Sequence, residues 1–287
     1  MNNQSSDDDL IDSTYAAWRL LITLCIVTLG SSSMYIIAVV LPAVQAEFGV
    51  SRANASLPYT LMMICFGVGG IWAGKMADRR GIGFVLLVGA IAVGFGYIFA
   101  ALAPNIWVFG FSHGLLLGLL GSSTTFAPLL ADTSLWWNKR RGFAVAICAC
   151  GNYVAGAVWP PIAQWGIETI GWRQTYIYIG LCCGIGMALL SLAMKKRPPM
   201  VKLEAISPNG QEKQVSRSMS LEVDRSKPFG LQPAQAQIIL CIAGVACCVA
   251  MSMPQVHIVA YCGDLGYGAA RGAEMLSVML SCGIISR

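Results

Sequence analysis

The sequence predicts an all-α protein that crosses a membrane several times, and three observations carry that prediction. Of 287 residues, 56% are hydrophobic and only 11% are charged, with mean hydropathy +0.65. A soluble domain carries about 25% charged residues, so this chain has too few polar groups to cover a surface in water. Its apolar residues fall into runs of the ~20 residues that a helical span requires. None of the runs alternates with period two, which excludes an outer-membrane barrel. With no water in the bilayer core, each run must satisfy its own backbone as a helix.

The elements follow in order. The opening "MNNQSSDDDLIDSTY" is polar and acidic. It lacks the basic start of a signal peptide, and residues 1–17 read as an uncleaved, disordered tail. The apolar runs are then Trp18–Val44, Leu57–Ala73, Phe84–Ala103, Ile106–Leu130, Gly142–Ile162, Thr175–Met194 and Ile238–Val259, with an eighth from near Gly272 to Arg287. Between the sixth and seventh lies "KKRPPMVKLEAISPNGQEKQVSRSMSLEVDRSKPFGLQPAQ", charged and proline-bearing, which reads as a flexible linker over residues 195–237. The organisation is a six-helix bundle over 18–194, the linker, and the start of a second bundle over 238–287.

Charge sets the expected orientation. Lys75, Arg79 and Arg80 lie between runs two and three, and Lys139, Arg140 and Arg141 between four and five; the linker adds more bases. The alternate loops hold Arg52, Arg173 and Arg271. The positive-inside rule then makes the N-terminus and the linker cytoplasmic in a multi-pass protein of the plasma membrane.

Several functions are disfavoured by the same reading. The net charge of +5 flanks apolar runs instead of forming a stripe, so nucleic acid is not an expected partner. Most of the eleven cysteines sit inside apolar runs with no CxxC pair and no histidine at ligand spacing. They read as small packing residues, and no metal or cofactor is expected. No phosphate-binding G-x(4)-G-K-[ST] loop and no nucleophile–base pair is present, so the chain is not read as an enzyme.

"GKMADRRG", Gly74 to Gly81, concentrates charge between two apolar runs. Gly74 permits close helix approach, Gly81 permits a tight turn, and Asp78 can accept hydrogen bonds from bases or from a helix N-terminus. The stretch resembles the loop two–three signature G-x-L-A-D-R-x-G-R-[RK] of the major facilitator superfamily. Gly74, Ala77, Asp78, Arg79 and Gly81 match, Met76 replaces Leu, and the closing basic pair is absent. The segment Trp136–Tyr176 and the segment from Met253, "MPQVHIVAYCGDLGYGAARGAEML", resemble the branch of monocarboxylate porters and oxalate/formate antiporters.

The resemblance implies a helix bundle of the major facilitator type: a six-helix N-terminal half, helix seven and part of helix eight. It implies alternating access around a mid-plane site, with a small carboxylate as substrate, moved by proton symport or by anion exchange. The family has twelve helices, so the chain is read as ending within helix eight. A truncated non-transporting membrane protein, or a transporter-like sensor, is the competing reading.

Candidate residues follow. Arg287 resembles the helix-eight arginine that binds substrate carboxylate in this branch; its planar fork suits a carboxylate, while the other reading is a snorkelling terminal arginine. Animal monocarboxylate carriers have a lysine in helix one; here the region "SSSMYIIAVVLP" offers Ser31, Ser32, Ser33 and Tyr35 but no cation. Asn152 and Tyr153 on helix five face either the cavity or a neighbouring helix. His257, late in helix seven, is either a substrate ligand or a surface residue. His113, in a helix four that lacks the arginine common in the superfamily, is a proton-relay candidate or a neutral hydrogen-bonded group.

Overall fold

The computed structural model describes residues 11–194, 196 and 233–285. Helix α1 begins at Thr14, because the Ser13 side chain accepts a hydrogen bond from the Ala16 N–H at 3.3 Å. The tail expected to reach residue 17 therefore ends earlier: a serine cap outranks the apolar run as the start signal. α1 runs over Thr14–Phe48 and is interrupted at Ser31, which divides it into Thr14–Gly30 and Ser32–Phe48.

Helix α2 covers Arg52–Arg80 and α3 covers Ile82–Ala101. Between them stands Gly81 alone, at φ 88°, a backbone that favours glycine. "GKMADRRG" is thus the last two turns of a helix plus one hinge residue, not a loop. Helix α4 spans Ile106–Trp136, capped by the Asn105 side chain on the Val108 N–H at 2.9 Å. Helices α5 (Arg141–Ile170) and α6 (Trp172–Ala193) follow, again joined by one glycine, Gly171 at φ 85°. Helices α7 (Pro233–Asp264) and α8 (Ala269–Ile285) complete the described residues. The expected linker lies almost wholly outside them.

Among the described residues six helices, α1 to α6, are long and apolar enough to cross a membrane. α1, α2 and α5 extend beyond their apolar runs at both ends, α4 at its C-terminal end, and α3 and α6 at their N-terminal ends only. The chain divides into two compact units, one of residues 1–199 with 256–287 and one of residues 200–255.

In lipid, apolar burial gives little drive to helix association, so close backbone approach and hydrogen bonds decide the packing. The first unit follows that rule. α3 packs most extensively on α6, where a Cβ added at Gly184 would lie 3.0 Å from the Gly94 Cα. α5 receives α1 at Gly151, where an added Cβ would lie 2.9 Å from the Val27 Cβ. The same helix receives α8 at Gly156, where an added Cβ would lie 2.2 Å from a Leu280 methyl. Gly74, expected to make a close approach, has no atom within 4 Å of an added Cβ, and neither has Gly142.

Candidate functional site

The break in α1 falls 17 residues from either end, about 25 Å along each half at ~1.5 Å per residue. That places it near mid-span. Facing it is a second irregular helix. α4 is α-helical over Ile106–Phe111, a π-helix over Ser112–Ser122, and broken again at Phe126, ahead of Pro128. The π-helix is rare, and its usual single-turn form inside α-helices is frequent at functional sites.

The two irregular helices are tied together by hydroxyls. The Ser122 hydroxyl donates to the Gly30 carbonyl at 2.9 Å and lies 2.9 Å from the Ser33 hydroxyl. The Tyr97 hydroxyl donates to Ser32 Oγ at 3.0 Å, and the Cys183 thiol approaches the same oxygen at 3.6 Å. Trp159 Nε1 donates to the Thr28 carbonyl at 2.9 Å. Backbone carbonyls at the break are thus met by side chains of α4 and α5, and the Ser32 hydroxyl by side chains of α3 and α6. Approach is so close that a Cβ at Gly30 would lie 2.4 Å from the Thr125 methyl.

One turn beyond the break, Tyr35 is buried against α5 and α8. A Cβ at Gly156 would lie 2.8 Å from its ring. Tyr153 is half-buried on α5, and its ring lies against Gly283 of α8, 2.5 Å from an added Cβ. Asn152, beside it in sequence, is also half-buried. Tyr35 and Tyr153 are therefore gathered where α1, α5 and α8 meet. Arg287 lies outside the described residues. His257 is exposed on α7 and is not part of this group.

His113 is fully buried, seven residues into α4. Its Nδ1 lies 3.0 Å from the Phe109 carbonyl and its Nε2 lies 3.3 Å from the Tyr176 hydroxyl. The Phe109 and Tyr176 ring centroids lie 4.2 and 5.8 Å from its own, and Trp172 packs edge-on against both of those rings. In the motif at the end of α2, Asp78 and Arg79 are exposed, Gly81 forms the turn, and Gly74 makes no close approach.

Two clusters escaped the sequence reading. Arg19 of α1 donates from Nε and Nη2 to Asp132 Oδ2 of α4 at 3.1 and 2.8 Å, with both side chains buried. Its guanidinium also stacks 4.5 Å from the Trp136 ring centroid. At the opposite end of the bundle Arg173 grips Glu47 at 2.8 Å and the Ala103 carbonyl at 2.9 Å, while Trp172 donates to the same Glu47 carboxylate. This pins the ends of α1, α3 and α6. Arg19, just inside the first apolar run, and Asp132, two residues beyond the fourth, were the available signals for the first cluster. Glu47, five residues before α2, was the signal for the second.

A family model described as Major Facilitator Superfamily matches residues 21–287. The chain is 24% identical to monocarboxylate transporter 4 of Rattus norvegicus over 272 residues, which is 92% of this chain and 54% of that protein. It is 25% identical to monocarboxylate transporter 4 of Gallus gallus over 246 residues, covering 84% of this chain and 49% of that protein. It is 30% identical to riboflavin transporter RibJ of Trypanosoma brucei brucei (strain 927/4 GUTat10.1) over 131 residues, covering 45% and 24% respectively. At most, then, the chain spans about half the length of these relatives.

Proposed function

The chain belongs to the major facilitator superfamily, and on that premise we propose that it acts in secondary transport of a small organic anion, a monocarboxylate, by alternating access. The observation that carries this reading is the pair of broken helices. Two interrupted spans, α1 at Ser31 and α4 over its π stretch, meet near mid-span through Ser33, Ser122 and the Gly30 carbonyl. Discontinuous helices supply polar backbone and small polar side chains to a mid-plane site without exposing either to lipid. The extended likeness to monocarboxylate transporter 4, over 92% of the chain, supports a carboxylate.

Each site residue then takes a role. Arg287 is the anion anchor. Gly283 and Leu280, four and seven residues before it, lie against Tyr153 and Gly156. Tyr35, Tyr153 and Asn152 line the anion's path from α1 and α5. The proton travels with the substrate or through His113, whose ring joins α4 to the Tyr176 hydroxyl of α6; in exchange mode no proton is needed. His257 is an outer-surface residue through which the anion first passes. Asp78 and Arg79 sit at the cytoplasmic hinge and form contacts with the second bundle in one transport state. The N-terminus is cytoplasmic, and the protein resides in the plasma membrane.

The identity to a riboflavin transporter over 45% of the chain favours a second reading, a planar heterocyclic substrate. Both readings are tested by uptake into proteoliposomes holding the protein expressed from its own gene, with labelled lactate and labelled riboflavin offered in parallel. Saturable lactate uptake, stimulated by an opposing lactate load or an inward proton gradient, is the expected result. Saturable riboflavin uptake without lactate uptake transfers the assignment to the second reading, and uptake of neither overturns both.

A further inference from the structure

We infer that the groove between the cytoplasmic ends of α3 and α6 is a binding site for one anionic phospholipid, headed by Arg80. The groove encloses about 270 Å³ and is lined by Arg80, Gly81, Phe84, Leu87, Ser191 and Leu192. Its two ends differ in chemistry, as a lipid's do.

The head end is cationic. The Arg80 guanidinium sits 4.9 Å from the Phe84 ring centroid, over the mouth of the groove, with exposed Lys75 and Arg79 on the same final turns of α2. The first turn of α3 starts directly after Gly81, and no side chain among the described residues caps it. Its free N–H groups and positive dipole end face the same region as Arg80. A guanidinium with unsatisfied backbone donors beside it is the arrangement that grips a phosphodiester.

The tail end is apolar and open to lipid. Phe84 and Leu87 line the groove and continue along α3 as the exposed series Ile91, Phe95 and Phe99. Leu192 continues along α6 as Leu189, Ile185 and Leu181, also exposed. Steps of three and four residues keep each series on one helix face. Close approach of α3 and α6 at Gly94 and Gly184 closes the floor between them. The two series therefore flank a valley that descends from the head groove, with walls suited to an acyl chain.

Charge complementarity selects the lipid class. On the orientation proposed above, the groove opens to the cytoplasmic leaflet, where anionic lipids concentrate and each surface base contributes measurably to their capture. A free phosphate would use the head end alone and leave the apolar valley without purpose. The full lipid uses both ends.

The test needs no transport assay, so it stands or falls separately from the substrate assignment. The whole chain is purified in mild detergent with equal amounts of phosphatidylglycerol and phosphatidylcholine, and the lipids retained are counted by native mass spectrometry. One phosphatidylglycerol per chain is expected, in preference to phosphatidylcholine. Arg80→Gln should lower its retention about five-fold, and Arg140→Gln, at the exposed junction of α4 and α5, much less. Leu87→Gln, which keeps the head end and spoils the valley, should also lower retention; helix content by circular dichroism checks that each variant is folded. Glycerol phosphate in millimolar excess should not displace the lipid. Equal retention of both lipids, equal loss in the two arginine variants, or displacement by glycerol phosphate would overturn the proposal. The last outcome would make the groove a free-anion site.

Discussion

Arg19 and Asp132, 113 residues apart in sequence, meet at 2.8 Å in a setting where their side chains are 3% and 7% exposed. The pair joins the start of α1 to the end of α4, and Arg19 Nη1 finds no acceptor among the described residues. Removing one partner leaves a charge buried alone, whereas removing both removes the burden.

Asp132→Asn is therefore expected to destabilise the folded bundle by about 3–5 kcal/mol. Arg19→Met combined with Asp132→Leu should recover most of that loss. Thermal unfolding in detergent, followed by circular dichroism, checks both. Equal Tm values for wild type and Asp132→Asn would show that the pair contributes nothing to stability.

The glycines of α5 and α2 separate packing from hinge chemistry. Gly151→Val drives a side chain into Val27, 2.9 Å from an added Cβ, and should cost about 1–3 kcal/mol as overpacking. Gly74→Ala meets nothing within 4 Å, and alanine favours a helix interior by up to ~1 kcal/mol, so its stability should not fall. The same unfolding assay reads both, and a large loss at Gly74 would mean that this glycine packs against a partner after all.

Asp78 is exposed at the end of α2, so Asp78→Asn should leave the unfolding temperature unchanged while slowing uptake several-fold. The two readouts together define a conformational role. Uptake at the wild-type rate, with equal amounts of protein in the membrane, would reduce the motif to an anchor that sets topology.

His113→Asn breaks the bridge to Tyr176 inside an aromatic wall and should lower stability by about 1–3 kcal/mol. If protons pass through the imidazole, the variant also loses the dependence of uptake on external pH; Tyr176→Phe, which keeps the ring and removes only the hydroxyl, should weaken that dependence less. A folded His113→Asn protein with an unaltered pH profile would remove His113 from the proton path.

How much of this was legible in the sequence depends on the range of each interaction. The six membrane-crossing helices were visible because apolar runs are local and the bilayer sets their length. The turn at Gly81 was legible too, since a glycine between charged and apolar stretches is a local signal. Hidden features were those made by two distant segments. Arg19 lies just inside the first run and Asp132 just beyond the fourth, and nothing in either run names the other. The break at Ser31 had a trace in "SSS", which offered hydroxyls without revealing that they would serve α1 against α4. The π stretch of α4 has no compositional mark, because leucine and glycine at those positions suit an ordinary helix equally well. Tyr35 and Tyr153 were picked as candidates from their spans, but only close approach at Gly156 and Gly283 brings them to one place.

The central claim, that the protein carries a carboxylate held by an arginine fork, is tested most directly at position 287. Labelled lactate binding and uptake are measured for the protein expressed from its own gene, with Arg287→Lys and Arg287→Gln alongside. A bidentate arginine predicts loss of binding in both variants, by roughly ten-fold or more, because lysine keeps the charge but not the planar geometry. Unaltered lactate affinity in both would contradict the account.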